Sequence, residues 1–542
     1  MNPKTTGRLP SGWQTAGLTS CGARIWIPSG NGQALPDAKA GLAPDILYFN
    51  DTHGGIDRLL PALKRAIDPR RQVNAEWLTV SGGDDHGGGS RWDAGFFTGA
   101  RQSMAYSLLE RGQVDICVPG NHDLDWGWEA YAERCRLSPG VIRVLTNLRP
   151  GMGLLADHHQ CLLVEFKNHL MAVTGALCTD QTREAHRYLT DPADCLPALA
   201  NALRPHVDSV LVISHLGYHS RTGQYADQAL LADTPDSVLV AGAHTHDVIP
   251  STGAWHAGRY LQCGQKGRFL GFVKCENANW RIRVEGVSGS VAGMADDLEA
   301  DLEASCDAAG SICFPDDRTT TEQPSRDGYR GECATINAVT DQILKREPEA
   351  AGLVAALCVR FFGARPVAGR MTLRDWIECF PYGDCLCLMQ VPVARLPDLL
   401  AANARRLSMP AHYLESRGML HFSGNLTYRV SGSGKSLHVT DIRLAGEAIS
   451  DHAGKASELQ LLTQAYVAEG MGGYATVFKE ANLNWSREVI DHLGVPIRET
   501  LWESFVGMDD EARSASLVKD KRLVYDASGI NADGSGSSGS TH

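Results

Sequence analysis

The chain has 542 residues, 43% hydrophobic and 21% charged, with 63 acidic against 51 basic side chains and a net charge of −12. That length exceeds what one hydrophobic core usually organises, so at least two domains are expected, and the acidic balance disfavours a sequence-independent grip on a nucleic acid polymer. No apolar stretch reaches the ~20 residues of a membrane-crossing helix, no hydrophobic segment follows a basic one near Met1, and the fifteen scattered cysteines are odd in number. A reducing compartment without membrane attachment is expected, hence a cytoplasmic protein; removal of an export signal would make it periplasmic instead.

Residues 1–44, rich in Gly, Pro and Ala and without periodicity, read as an extended or partly ordered arm. Beyond them, apolar runs at 45–50, 77–81, 115–118, 209–214 and 237–241 read as buried strands. Each closes on a polar cluster: Asp51-Thr-His53, Gly82-Gly-Asp84, Gly120-Asn-His122-Asp123-Leu-Asp125, His215, and His244-Thr-His246. After the first cluster, Ile56, Leu59, Leu60, Leu63 and Ile67 recur at helical spacing and stop at Pro69; a second helix is expected over 94–110. Strand, polar loop and helix in repetition predict an α/β sandwich, and the ends of strands in such sheets are where ligands collect.

The polar clusters supply the donors for a pair of divalent cations. Two ions about 3.5–4 Å apart need a carboxylate that can bridge them, and Asp84 is the candidate. Asp51 and His53, two positions apart at a strand end, can reach one ion. His244 and His246 repeat that spacing, so each can serve a different ion, while Asn121 offers an amide oxygen and His215 an imidazole. The mixed oxygen and nitrogen set suits Zn or Mn, with Fe or Co as further options. His86, His219 and His256 read as loop residues, Asp123 as a loop-capping group, and Asp85 and Asp93 carry no assigned role.

Residues 291–331 read as a linker, with an exposed amphipathic helix over 293–309, and join a first domain at 45–290 to a second at 332–510. Cys385 and Cys387 in the second domain read as small core residues on one face of a strand. Residues 511–542 read as a tail, flexible from Gly534 to Thr541.

The motifs Asn50-Asp-Thr-His-Gly54, Gly82-Gly-Asp84, Gly120-Asn-His-Asp-Leu-Asp125, Gly242-Ala-His-Thr-His246 and Gln262-Cys-Gly-Gln-Lys-Gly267 resemble the calcineurin-type metallophosphoesterase domain of the 5'-nucleotidase family. The resemblance spans most of residues 45 to 275. It implies that one metal takes Asp51, His53, Asp84 and His246, and the other Asp84, Asn121, His215 and His244. It further implies that His122 contacts the phosphoryl oxygens and that Asp125 orients it. Phosphoryl transfer asks for this division: positioned charge around the equatorial oxygens, and a metal-bound water as nucleophile.

Weaker echoes of the same family's C-terminal domain follow. Glu332, Asn337 and Asp341 align with a Glu-Ser-x-Leu-Gly-Asn-Leu-x-x-Asp signature, with Ile336 at the glycine position. Arg365 resembles the arginine closing Asn-Gly-Gly-x-Arg, without the Asn-Gly pair; Pro381-Tyr-Gly-Asp384 and Phe422-Ser-Gly-Asn425 resemble two further motifs. The segment Tyr466 to Tyr474 carries Gly472 where the family has aspartate. The resemblance implies that Tyr382 and Tyr466 sandwich a nucleobase, that Arg365 meets an oxyanion, and that domain rotation carries substrate to the metals. The lost polar groups weaken the hold on a nucleoside.

The expected activity is therefore metal-dependent hydrolysis of a phosphate ester in a nucleotide or related small phosphorylated metabolite. Cyclic nucleotides and nucleotide sugars remain open as substrates. A thiosulfohydrolase acting on a sulfur-containing ester is an alternative, and a non-catalytic metal-stabilised binding protein a third.

Overall fold

Runs such as Leu170–Leu177 and Ser209–His215 are buried along their entire length, as parallel strands covered on both faces must be. The computed structural model describes residues 13–28, 43–87, 90–92, 104–136, 138–220, 223–276, 279–288, 296–314, 324–328, 331–345, 353–363, 369–406, 419–432, 437–452, 458–487 and 490–526. The chain divides into two compact units, Met1–Gly310 with Thr372–Gly383, and Ser311–Met371 with Asp384–His542.

Among the described residues the first unit holds two eight-stranded mixed sheets. In one, Asp45–Phe49, Trp77–Ser81 and Ile116–Cys117 run parallel side by side; in the other, Leu170–Leu177, Ser209–His215 and Val238–Gly242 do the same. The sheets are joined through their interiors, where the Tyr48 hydroxyl donates to the Gly242 carbonyl at 2.7 Å. The strand ends of both sheets thereby open on one region.

Several elements differ from expectation. The arm is ordered over a hairpin, Trp13–Leu18 with Arg24–Pro28, and unexpectedly adds to a sheet of the first domain through Cys161–Glu165. Ser20 ties it down by donating its main-chain N–H and hydroxyl to Asp115. Pro69 does not end its helix: a 3-10 turn at Gly55–Leu59 leads into an α-helix over Leu60–Gln72. So near the C-terminus the proline forfeits a single ladder bond, and the Arg70 guanidinium donates to the Ala66 carbonyl at 2.6 Å in the same turn. The second helix occupies Met104–Arg111, the start of the expected span lying outside the described residues. His256 lies in a short strand, His256–Ala257, and so is not a loop residue, whereas His86 lies in a loop as expected but is fully buried.

The linker helix, Asp296–Ala309, belongs to the first unit, where Arg91 bridges its Glu299 to Asp57. Its face is not wholly exposed, since Leu302 and Cys306 are buried. The segment Thr372–Gly383, inside the span expected for the second domain, also belongs to the first unit; its helix Leu373–Cys379 meets the linker helix through Arg374 and Glu303.

Among the described residues the second unit contains a five-stranded sheet ordered Leu420–Phe422, Leu353–Cys358, Glu458–Gln464, Cys385–Pro392 and Asp491–Pro496, and a four-stranded sheet around Leu426–Ser431. Cys385 and Cys387 are buried in it. The supposed tail contributes a helix, Asp510–Ser516, and a strand, Leu523–Asp526, parallel to Leu426–Ser431. Glu332, Asn337 and Asp341 explain that docking. Glu332 Oε1 accepts from Asn337 Nδ2, Asp520 N and Arg522 N, while Arg522 forms an ion pair with Asp341. The residues 534–541 lie outside the described set. No helix among the described residues is long and apolar enough to cross a membrane.

Candidate metal centre

Five of the seven candidate donors hold a left-handed backbone: Asp51, His53, Asp84, His244 and His246, at φ 50°, 45°, 52°, 75° and 62°. Residues other than glycine seldom adopt this region, and such strain persists where the surroundings over-determine it. Here each of these residues stands just past a strand end, where the chain must leave its pleat at once to turn a side chain inward. Gly120 has a related cause: a Cβ there would lie 2.0 Å from Asp84 Oδ1.

The supporting bonds lock these turns. Asn50 Nδ2 donates to Asp51 Oδ2 at 2.6 Å and to the Gly264 carbonyl at 2.9 Å, and its Oδ1 accepts from Cys263 N. This binds the Gln262–Gly267 motif to the first donor loop. Asp123, expected only as a loop cap, is a hub: its carboxylate accepts from Asp84 N, His86 N, Gly120 N and the Tyr106 hydroxyl. His215 donates through Nδ1 to the Gly82 carbonyl at 2.7 Å, which leaves Nε2 facing the other donors.

The ligand atoms of Asp51, His53, Asp84 and His246 all lie within 4.8 Å of one another. Asp84 Oδ2 is 3.9 Å from His53 Nε2 and 3.4 Å from His215 Nε2, so it lies between two groups of donors. In the second group His215 Nε2 is 3.3 Å and His244 Nδ1 2.9 Å from Asn121 Oδ1. All seven expected donors are thus brought together. The set fits divalent cations on its own chemistry. Asp51 Oδ1 is buried with His246 Nε2 3.3 Å away, and that nitrogen lies 3.2 Å from His53 Nε2. A carboxylate oxygen and two ring nitrogens this close together suit a shared cation. The motifs' resemblance implies such ions, and residues present on both sides of Asp84 can hold them.

Electrostatics set the histidines apart. Burial drives His53 down to about 3, and burial with the neighbouring His215 drives His244 to about 4, so both are neutral donors. Burial would lower His122 as well, but the Asp125 and Asp84 carboxylates outweigh it and raise it to about 10. Asp84 is pushed up by burial, yet His215 and His122 hold it well below the usual carboxylate range.

His122 is placed beside the donors but faces away from them for its own bond. Its ring centroid is 5.2 Å from that of His53, and Nδ1 sits 3.1 Å from Asp125 Oδ2. Tyr382, in the first unit, stacks on His122 at 5.7 Å and an interplanar angle of 28°. Tyr466 belongs to the second unit, where the Arg360 guanidinium lies 5.2 Å from its ring centroid and bonds its hydroxyl. A Cβ on Gly472 would fall 2.4 Å from the Tyr466 hydroxyl, so the tyrosine oxygen fills the room that an aspartate would need. Arg365 lies outside the described residues. Two neighbours were not read from the sequence: Arg360, and Gln181, whose amide nitrogen is 3.1 Å from His244 Nε2. Gln181 follows the strand Leu170–Leu177 at the same sheet end as His215.

Residues 44–248 match the calcineurin-like phosphoesterase family, and residues 314–480 match the 5'-nucleotidase C-terminal domain. A 5'-nucleotidase-related protein of Glossina morsitans morsitans is 22% identical over 205 residues, which is 36% of this chain and 35% of that relative's length. Among solved structures, a candidate 5'-nucleotidase of Staphylococcus aureus bound to alpha-ketoglutarate superposes with a TM-score of 0.68 at 16% identity, covering 89% of this chain and 99% of that one. A 5'-nucleotidase precursor of Thermus thermophilus gives 0.56, also at 16% identity and with coverage of 89% and 99%. These likenesses establish a two-domain mixed α/β fold.

Proposed function

As the chain belongs to the 5'-nucleotidase family, joining a calcineurin-like phosphoesterase domain to a 5'-nucleotidase C-terminal domain, we propose that it hydrolyses the phosphate ester of a nucleotide or a related small phosphorylated metabolite. The observation that carries this reading is the four-residue cluster of Asp51, His53, Asp84 and His246 within 4.8 Å, flanked by a histidine paired with a carboxylate. Asp51, His53, Asp84 and His246 would hold one divalent cation, and Asp84, Asn121, His215 and His244 the other, with Zn or Mn ahead of Fe or Co. When bound, such ions supply Lewis acidity and lower the pKa of a water toward neutrality.

The chain's own residues do the rest. Asp125 keeps His122 protonated and turned, so that Nε2 can donate to a phosphoryl oxygen or the leaving group. Tyr382 covers one face of that imidazole and fixes its plane. In the second unit, Arg360 on Tyr466 offers a charged donor where a nucleoside clamp would present an aspartate, which favours substrates carrying more negative charge than a nucleoside does. A cytoplasmic setting agrees with the buried thiols of Cys117, Cys161, Cys178 and Cys263.

The test is phosphate release across nucleotides, cyclic nucleotides, nucleotide sugars and sugar phosphates with Mn or Zn added. Metal-dependent release from at least one class is expected. Absence of release from every class, by protein carrying both ions, would overturn the reading.

A further inference from the structure

We propose that Gln181 is a positioning residue for the second group of donors: its amide fixes which nitrogen of His244 carries the proton and turns over when a cation is bound. The inference rests on the two-cation reading given above. Its basis is the pair of contacts on one ring, Nδ1 at 2.9 Å from Asn121 Oδ1 and Nε2 at 3.1 Å from Gln181 Nε2.

A neutral imidazole donates through one nitrogen and accepts through the other. With Nδ1 protonated, both contacts are satisfied: Nδ1–H donates to the Asn121 amide oxygen, and Nε2 accepts from the Gln181 amide nitrogen. Were Asn121 and His244 to hold a cation between them, His244 would offer it Nδ1, and the ring proton would then sit on Nε2. Two donors would then face each other at Gln181. Rotation of the Gln181 amide by half a turn resolves this, presenting Oε1 as acceptor to Nε2–H. Glutamine is suited to both states because its two ends are nearly isosteric, one donating and one accepting.

The loop that carries Gln181 is held rigidly enough for this role. Cys178 N donates to the His215 carbonyl at 3.1 Å, and the buried Thr182 hydroxyl donates to the Cys178 carbonyl at 2.5 Å. Gln181 lies between these two anchors, half-buried. The strand that bears His215 therefore also sets the distance between Gln181 and His244. Outer partners of metal-bound histidines are worth about 10- to 100-fold in metal affinity.

The experiment titrates the metal-free full chain with Zn or Mn against a chelator of known affinity, for wild type, Gln181→Leu and Gln181→Glu, with thermal melts of the metal-free proteins as a check on folding. In Gln181→Leu one of two binding events should weaken about tenfold or more while the other stays within twofold. Gln181→Glu, a permanent acceptor, should bind at least as tightly as wild type. The proposal is overturned if Gln181→Leu binds both ions as wild type does, or if Gln181→Glu weakens binding as much as Gln181→Leu. A wild-type chain that binds fewer than two ions would instead sink the two-cation reading itself.

Discussion

Asp84 Oδ1 accepts the main-chain N–H of His122 at 2.8 Å, while Oδ2 of the same carboxylate faces His215 and His53. One side chain therefore sets both the cation donors and the position of the phosphoryl-facing histidine. Because it is the backbone of His122 that Asp84 holds, His122→Ala should leave the donors in place. The expected result is a loss of turnover of about 10²- to 10⁴-fold with both ions retained, measured by phosphate release and elemental analysis of one sample. Loss of metal in step with activity would show that the side chain belongs to the donor set.

Asp123 joins the loops of Asp84 and Gly120 to Tyr106 through four accepted hydrogen bonds. Asp123→Ala would strand buried donors, each costing about 1–3 kcal/mol. Chemical denaturation should register a destabilisation of at least about 3 kcal/mol; a change below about 1 kcal/mol would mean that water replaces the carboxylate without cost.

Asp227 is not one of the donors and gives a pH dependence of its own, with burial as the largest cause. Burial raises it from 3.8 to about 7, although Ser214 and Tyr260 hydrogen bonds act the other way. The folded state thus binds this proton more tightly than the unfolded state. Its contribution to stability is complete below about pH 4, falls as pH rises toward 7, and is lost above that. Asp227→Asn imitates the protonated form, so the unfolding free energy should lose up to about 1.4 kcal/mol of downward slope per pH unit between pH 4 and 7. Equal slopes for the two proteins would contradict this assignment.

Gly472 and Tyr466 should behave as a coupled pair. At φ +58°, with a would-be Cβ 2.4 Å from the Tyr466 hydroxyl, Gly472→Asp ought to cost about 1–3 kcal/mol. In a Tyr466→Phe background the clash with oxygen is gone and part of that cost should return. A thermal or chemical double-mutant cycle should give a coupling of at least about 0.5 kcal/mol; strict additivity would mean that the two positions changed independently.

The donors were legible because five buried apolar strands each end on a polar cluster, a pattern that survives without knowledge of the fold. Their depth was not. Nothing in the sequence marks Asp123 as the acceptor for four donors, or Gln181 as a partner of His244, because Asp84 and His86 lie 39 and 37 positions from Asp123 and Gln181 lies 63 from His244. The N-terminal hairpin escaped for another reason. Trp13–Leu18 exposes most of its residues and shifts register between Thr15 and Gly17, so its strands lack the alternation that betrays a sheet. The strand Leu523–Asp526 depends on Arg522 meeting Asp341, an ion pair 181 positions apart in the chain. Thr372–Gly383 read as part of the second domain because periodicity reports local structure and not which core a helix joins.

The most direct test counts metal ions per chain in wild type and in Asp84→Ala after loading with Zn or Mn and removal of excess. If Asp84 bridges two cations, wild type carries two ions and the variant loses affinity for both, with phosphate release falling alongside. Two ions still held by Asp84→Ala at wild-type affinity would contradict the shared-carboxylate centre on which the account rests.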